Sequence, residues 1–213
     1  MRSFDDLIQN GFSQPPEAKV LGIGASPRKD GNSDVLLVRM LKAAAEHGIT
    51  TDGLQLRDFQ YQGCIGCERC RKDKICTGLK DGMSLIYPDL FECRGLILVS
   101  PTHHYNVTAW MKAFIDRLYC FYDFDDHRPR RWSSRLAGQG RKAVLAAVCE
   151  QKGKDDMGFT LEAMRLPLKA LGYDIIGELP VFSIFDKAKV KEHNDILVEA
   201  AKLGSKLAQS LWR

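Results

Sequence analysis

Four cysteines, Cys64, Cys67, Cys70 and Cys76, share one stretch in the spacing C-x2-C-x2-C-x5-C. Three thiolates at this pitch on one loop can face a common centre, and a fourth completes the ligand set of an iron–sulfur cubane. The same set could hold a single structural zinc, or the thiols could stay free and pack a loop. The chain has seven cysteines, an odd number, with the majority crowded together. That is not a disulfide framework, and it suits a reducing cytoplasm.

A second chemical stretch runs Gly24-Ala25-Ser26-Pro27-Arg28-Lys29-Asp30-Gly31-Asn32-Ser33. Phosphate binding needs backbone donors free to point inward, and a loop running into a helix start supplies unpaired N–H groups with a favourable dipole. Glycines at 24 and 31 allow close backbone approach, the Ser26, Asn32 and Ser33 side chains can donate to phosphate oxygens, and Arg28 adds charge. The loop is not the dinucleotide fingerprint, because the third glycine of G-x-G-x-x-G falls on Pro27, which has no N–H to offer. Nor does it end in the Gly-Lys-Ser/Thr of a triphosphate loop.

The third stretch is Ser100-Pro101-Thr102-His103-His104-Tyr105-Asn106-Val107-Thr108, with Lys112 and Asp116-Arg117 after it. His103 and His104 could relay protons near neutral pH, or be loop histidines with no chemical role. Cys149 and Glu150 close a later apolar run, and Cys149 reads as a small pocket-lining or core residue because nothing in the sequence activates it as a nucleophile. His127-Arg128-Pro129-Arg130-Arg131-Trp132 follows Asp123, Asp125 and Asp126, which weakens a nucleic-acid reading and favours a solvated loop or one covering a neighbouring subunit. Tyr119, Phe121, Tyr122 and Phe124 suggest burial against a partner subunit.

Regular elements must position these loops. Residues 20–24 form an apolar run that stops at the glycine-rich loop, and Leu37, Leu41 and Ala44 then recur at helical spacing up to Gly48. Leu54 and Leu56 alternate with polar residues, as in a half-buried strand. Residues 96–99 and 143–148 are apolar throughout, as strands covered on both faces must be. A helix is expected near residues 83–86, another through Met111, Phe114, Ile115 and Leu118, and a third through Leu161, Met164, Leu168 and Leu171, kinked at Pro167 and ended by Gly172. A strand over residues 174–179 and a C-terminal helix through Ile196, Ala200, Leu203, Leu207 and Leu211 complete the pattern. Five strands alternating with helices predict an open parallel α/β sheet, with ligands beyond the strands' carboxyl ends.

Residues 1–18 read as an N-terminal extension with a short helix around residues 4–9, and residues 19–213 as one domain. The net charge of +4 is too mild for a nucleic-acid binder. No apolar run approaches the roughly 18 residues that span a bilayer, and Asp5 and Asp6 stand where a signal peptide needs an apolar stretch. A soluble, cytoplasmic protein is expected.

The phosphate loop resembles that of the NADPH-dependent FMN reductase branch of the flavodoxin-like superfamily, G-x-S-x-R-x-x-G-N-S, at every fixed position. In that family a stretch like S-P-x-Y-x-x-N-V-S followed by M-K-x-F-x-D-R lies against the isoalloxazine ring, and residues 100–108 and 111–117 are similar to it. Here His103-His104-Tyr105 stands where relatives place aromatic residues slightly earlier. The cysteine loop resembles that of iron–sulfur flavoproteins, in which FMN and a [4Fe-4S] cluster share a flavodoxin-like subunit; the Asp-Asp-Met that often follows is Asp81-Gly82-Met83 here.

The resemblance implies a flavodoxin-like three-layer α/β/α sandwich with a five-stranded parallel sheet in the order 2-1-3-4-5. It implies FMN held by Ser26, Arg28, Gly31, Asn32, Ser33, Pro101, Thr102, His103, His104, Tyr105, Asn106 and Cys149. The expected function is an FMN-dependent oxidoreductase passing electrons from NAD(P)H or a reduced carrier to a quinone or other small acceptor, as a homodimer or homotetramer. The alternatives are an iron–sulfur electron carrier with FMN plus [4Fe-4S] on Cys64, Cys67, Cys70 and Cys76, and a non-catalytic flavin sensor or zinc-stapled interaction module.

Overall fold

Strand-forming apolar runs alternate with amphipathic helices along the whole chain, so each strand must find parallel neighbours through helical crossovers. The computed structural model describes residues 4–10 and 16–212. Residues 1–3, 11–15 and 213 lie outside that set, and with them part of the segment expected as an N-terminal extension, whose short helix spans Phe4–Asn10.

The elements are α1 (Phe4–Asn10), β1 (Glu17–Gly24), α2 (Asn32–Ala45), β2 (Thr50–Gln55), α3 (Cys70–Asp73), α4 (Met83–Glu92), β3 (Cys93–Pro101) and α5 (Ala109–Arg117). After them come β4 (Tyr122–Phe124), β5 (Trp132–Ser134), β6 (Lys142–Val148), α6 (Lys154–Met157), α7 (Thr160–Leu171), β7 (Asp174–Val181) and α8 (Asn194–Leu211). The main sheet runs β2-β1-β3-β6-β7, entirely parallel, and β4 and β5 form a separate antiparallel pair. Counting only its own strands, the sheet has the expected order 2-1-3-4-5.

Alternation explains the unbroken apolar runs. In β3, Leu96 and Leu98 pack into a core with residues of α4, α5 and α7, whereas Ile97 and Val99 face the opposite core with α2 and α8. The sheet is therefore the middle of three layers.

Several boundaries differ from the sequence reading. Leu56 leaves the second strand for a 3-10 turn and is wholly buried there. The helix expected near residues 83–86 continues to Glu92 with Pro88 inside it, whereas α7 contains Pro167 and ends at Gly172 as expected. Packing on the sheet outweighs the lost backbone donor in both. The β4–β5 pair is an addition that sequence periodicity did not show. Phe121 is buried in this chain's own core and Tyr122 is half-buried, while Tyr119 stacks on Phe124 at 5.0 Å between ring centres.

Candidate active site

At the carboxyl end of the sheet, β1 leads into the phosphate loop and β3 into the histidine loop, on either side of the point where strand order reverses. Between them lies a cleft of about 590 Å³ lined by Ser26, Arg28, Gly31, Asn32, Ser33, Pro101, Thr102 and His103 together with residues from the ends of β6 and β7.

The donors are backbone groups. Val35 N–H makes the first helical bond of α2, to Gly31 at 3.1 Å, so the N–H groups of Asn32, Ser33 and Asp34 precede the helical ladder. No side chain caps this helix end. Spare N–H groups and the positive end of the helix dipole face the cleft, the donor set that a phosphate takes. Ser33 lines it too. Ser26 Oγ accepts from Arg28 N–H at 3.1 Å and so shapes the turn. The room expected beside Gly24 is filled by the Gln55 side chain.

Asn32 lines the cleft and also reaches beyond it. Its amide nitrogen donates to the Asp186 carbonyl at 2.9 Å and its amide oxygen accepts from Val190 N–H at 3.0 Å, so both ends of the side chain are occupied by the segment after β7. Arg28 reaches the same segment, donating to the Phe185 carbonyl at 3.0 Å with its guanidinium 4.3 Å from the Phe185 ring centre. Ile184, Phe185 and Lys187 of that segment also line the cleft.

Asp34 and Arg57 were not singled out in the sequence. Arg57 binds the Asp34 carboxylate through both terminal nitrogens at 3.0 and 2.7 Å and donates to the Ser26 carbonyl at 2.9 Å. The pair locks the phosphate loop from behind and neutralises a carboxylate in the first turn of α2. No local pattern marks it, since 23 residues separate the partners.

The histidine loop is a tight turn. His103 N–H donates to the Asn106 carbonyl at 2.8 Å and Asn106 N–H returns to His103 at 3.1 Å. The central residues, His104 and Tyr105, have φ of 50° and 65°, the left-handed pair of a primed hairpin turn. Two bulky side chains in that conformation are strained. His103 lines the cleft, whereas His104, Tyr105 and Asn106 stand exposed at the tip. Thr108, the last residue of this stretch, caps α5 by accepting from Met111 N–H at 3.2 Å and donates its hydroxyl to the Ala25 carbonyl at 3.0 Å. It ties the histidine loop to the phosphate loop. Cys149 is buried against Ala147 and Met157, and its neighbours Val148 and Glu150 face the cleft instead.

The cysteine loop forms a separate site. Cys64, Cys67, Cys70 and Cys76 all line one cavity of about 610 Å³, with Ile65, Leu79 and Tyr119 as apolar walls. Gly66 N–H points at Cys64 Sγ at 3.4 Å, and Gly78 has no side chain because Cys67 Sγ occupies the space where its Cβ would sit. Burial, followed by the charges of the other three cysteines, pushes the Cys70 thiol up to about 11. Among the described residues no three His, Cys, Asp or Glu side chains converge tightly enough for one metal ion.

Arg117 belongs to this second site. The Asp116-Arg117 end of the motif was expected against the flavin; instead the fully buried Arg117 guanidinium holds Asp81 at 2.7 and 3.0 Å and the Gln62 carbonyl at 2.9 Å. Asp81 also accepts from Gln62 N–H at 3.3 Å and Met83 N–H at 3.2 Å, which closes the base of the loop carrying all four cysteines. Burial alone would raise the Asp81 carboxyl, but the hydrogen bonds and charge of Arg117 hold it below its ordinary value. The acidic hairpin Asp123 pairs with Lys74 at 2.6 Å, and Arg130 with Glu68 at 3.5 Å, so the β4–β5 hairpin leans on the cysteine loop. No helix among the described residues is long and apolar enough to cross a membrane.

Known proteins are similar to this chain in sequence and in fold. An iron-sulfur flavoprotein of Methanocaldococcus jannaschii is 38% identical over 137 residues, 64% of this chain and 66% of that protein, just short of two thirds of its length. An iron-sulfur flavoprotein of Archaeoglobus fulgidus is 30% identical over 192 residues, covering 90% of this chain and 80% of that one. The solved FMN-dependent NADH-azoreductase of Bacillus anthracis in complex with FMN shares the fold, with a TM-score of 0.66 at 16% identity over 89% of this chain and 99% of that one. Residues 18–166 match the model of the NADPH-dependent FMN reductases, and the chain belongs to that family.

Proposed function

We propose that the protein is an FMN-dependent oxidoreductase with a second centre, a [4Fe-4S] cluster on Cys64, Cys67, Cys70 and Cys76, and that it passes electrons from NAD(P)H or a reduced carrier to a quinone or other small acceptor. The observation that carries this reading is one chain with both a cradle of spare N–H groups and a separate cavity lined by four thiols. FMN would be held by the start of α2, Ser33 and Arg28, with Pro101, Thr102 and His103 as walls. Bound there, it supplies hydride and single-electron chemistry that no side chain of the protein possesses.

The chain's own residues do the rest. Arg57 removes the repulsion of Asp34, Ile184 and Phe185 keep water from one side of the cleft, and His103 is placed to hand on a proton. The relatives named as iron-sulfur flavoproteins support the second centre, and the azoreductase solved with FMN supports the first. Exposed Phe159 and Leu166 on and beside α7 support assembly into a homodimer or homotetramer.

Single Cys→Ala variants at positions 64, 67, 70 and 76 test the second centre. Each is expected to lose most of its iron while keeping an equimolar amount of FMN. Full iron in these variants would remove the cluster, and loss of flavin together with iron would show that the two sites are not separate.

A further inference from the structure

We infer that Lys187 is a ligand of the flavin's phosphate, delivered to the cradle by a strap over residues 184–190 that Asn32 staples in place. The inference rests on the FMN reading above.

Asn32 opens the helix of the phosphate loop, where a polar side chain would ordinarily serve the ligand. Both its polar ends instead hold the strap, at the Asp186 carbonyl and the Val190 N–H. Arg28 adds a third bond, to the Phe185 carbonyl, and lays its guanidinium on the Phe185 ring. The strap is thus fixed to the loop at three places, although more than 150 residues of chain lie between them.

A fixed strap brings three residues to the cleft: Ile184 and Phe185 as apolar wall and Lys187 as charge. Lys187 is exposed and forms no ion pair among the described residues, and neither does Arg28. Two cations without carboxylate partners therefore face one cleft, in which Glu150 is the single acidic lining residue. Like charges brought together in this way are stabilised by an anion between them. A phosphate monoester, with up to two negative charges, matches the pair; a flavin lacking phosphate has nothing for Lys187 to bind. The strap makes the site selective for the phosphorylated flavin, beyond what backbone N–H groups alone provide.

Flavin fluorescence titrations of the FMN-free protein, with FMN and riboflavin in parallel, test the assignment on wild type and K187Q. K187Q should bind FMN roughly five- to tenfold more weakly with a shallower salt dependence, and bind riboflavin as wild type does. FMN affinity at the wild-type level in K187Q overturns the role of Lys187. In Asn32→Ala, hydrogen exchange at the Val190 amide should quicken roughly tenfold, because that N–H loses its acceptor. Unchanged Val190 exchange overturns the staple. Wild-type protein that binds neither flavin would instead overturn the cofactor reading itself.

Discussion

Asp34 would repel a phosphate if it stood alone in the first turn of α2. Arg57 meets both of its oxygens, so the carboxylate becomes a brace for the loop. Arg57→Gln leaves that charge uncompensated beside the spare N–H groups, and FMN affinity measured by titration should fall by roughly tenfold or more. An unchanged affinity would mean that Asp34 does not sense the ligand. Ser26, Arg28, Ser33 and His103, read from the sequence as two separate stretches, line one cleft. Nothing in the sequence pointed to the partners of Asn32 and Arg117, because Val190 and Asp81 lie 158 and 36 residues away. Composition and spacing carry no record of such long-range pairs.

Among the elements, α5 joins the two sites. Its first turn is fixed to the phosphate loop through Thr108 and Ala25, and its last residue, Arg117, closes the base of the cysteine loop. Asp81→Asn breaks the charge pair while keeping shape, and leaving Arg117 buried without its anion should cost about 3 kcal/mol in urea unfolding at neutral pH. The Asp81 carboxyl is held below its ordinary value of 3.8, so its contribution is present above that pH and is lost as pH falls through the lower folded value. The gap between wild type and Asp81→Asn should therefore close in strong acid; a gap independent of pH would show that the pair is not ionic. Element existence was legible from periodicity, because strands covered on both faces must be apolar throughout. Element ends were legible only in part: α7 stops at Gly172 as expected, but α4 runs on through Pro88 to Glu92 because burial against the sheet stabilises it. The β4–β5 hairpin escaped notice because strands of three residues are too short to show alternation.

At the scale of the molecule, the parallel sheet sets the phosphate and histidine loops side by side at the crevice of its strand-order reversal. The cysteine loop, after β2, is outside that crevice, and it is tied to the rest by a buried arginine and by ion pairs to the hairpin. Such an arrangement gives two separately built clefts, and the proposed function requires that both be filled. The visible spectrum of wild-type protein purified without air, with iron, acid-labile sulfide and FMN measured on the same sample, tests this most directly. The account predicts flavin bands over broad iron–sulfur absorption, with about four irons and four sulfides per FMN. Flavin bands alone, with no iron or sulfide, would contradict it.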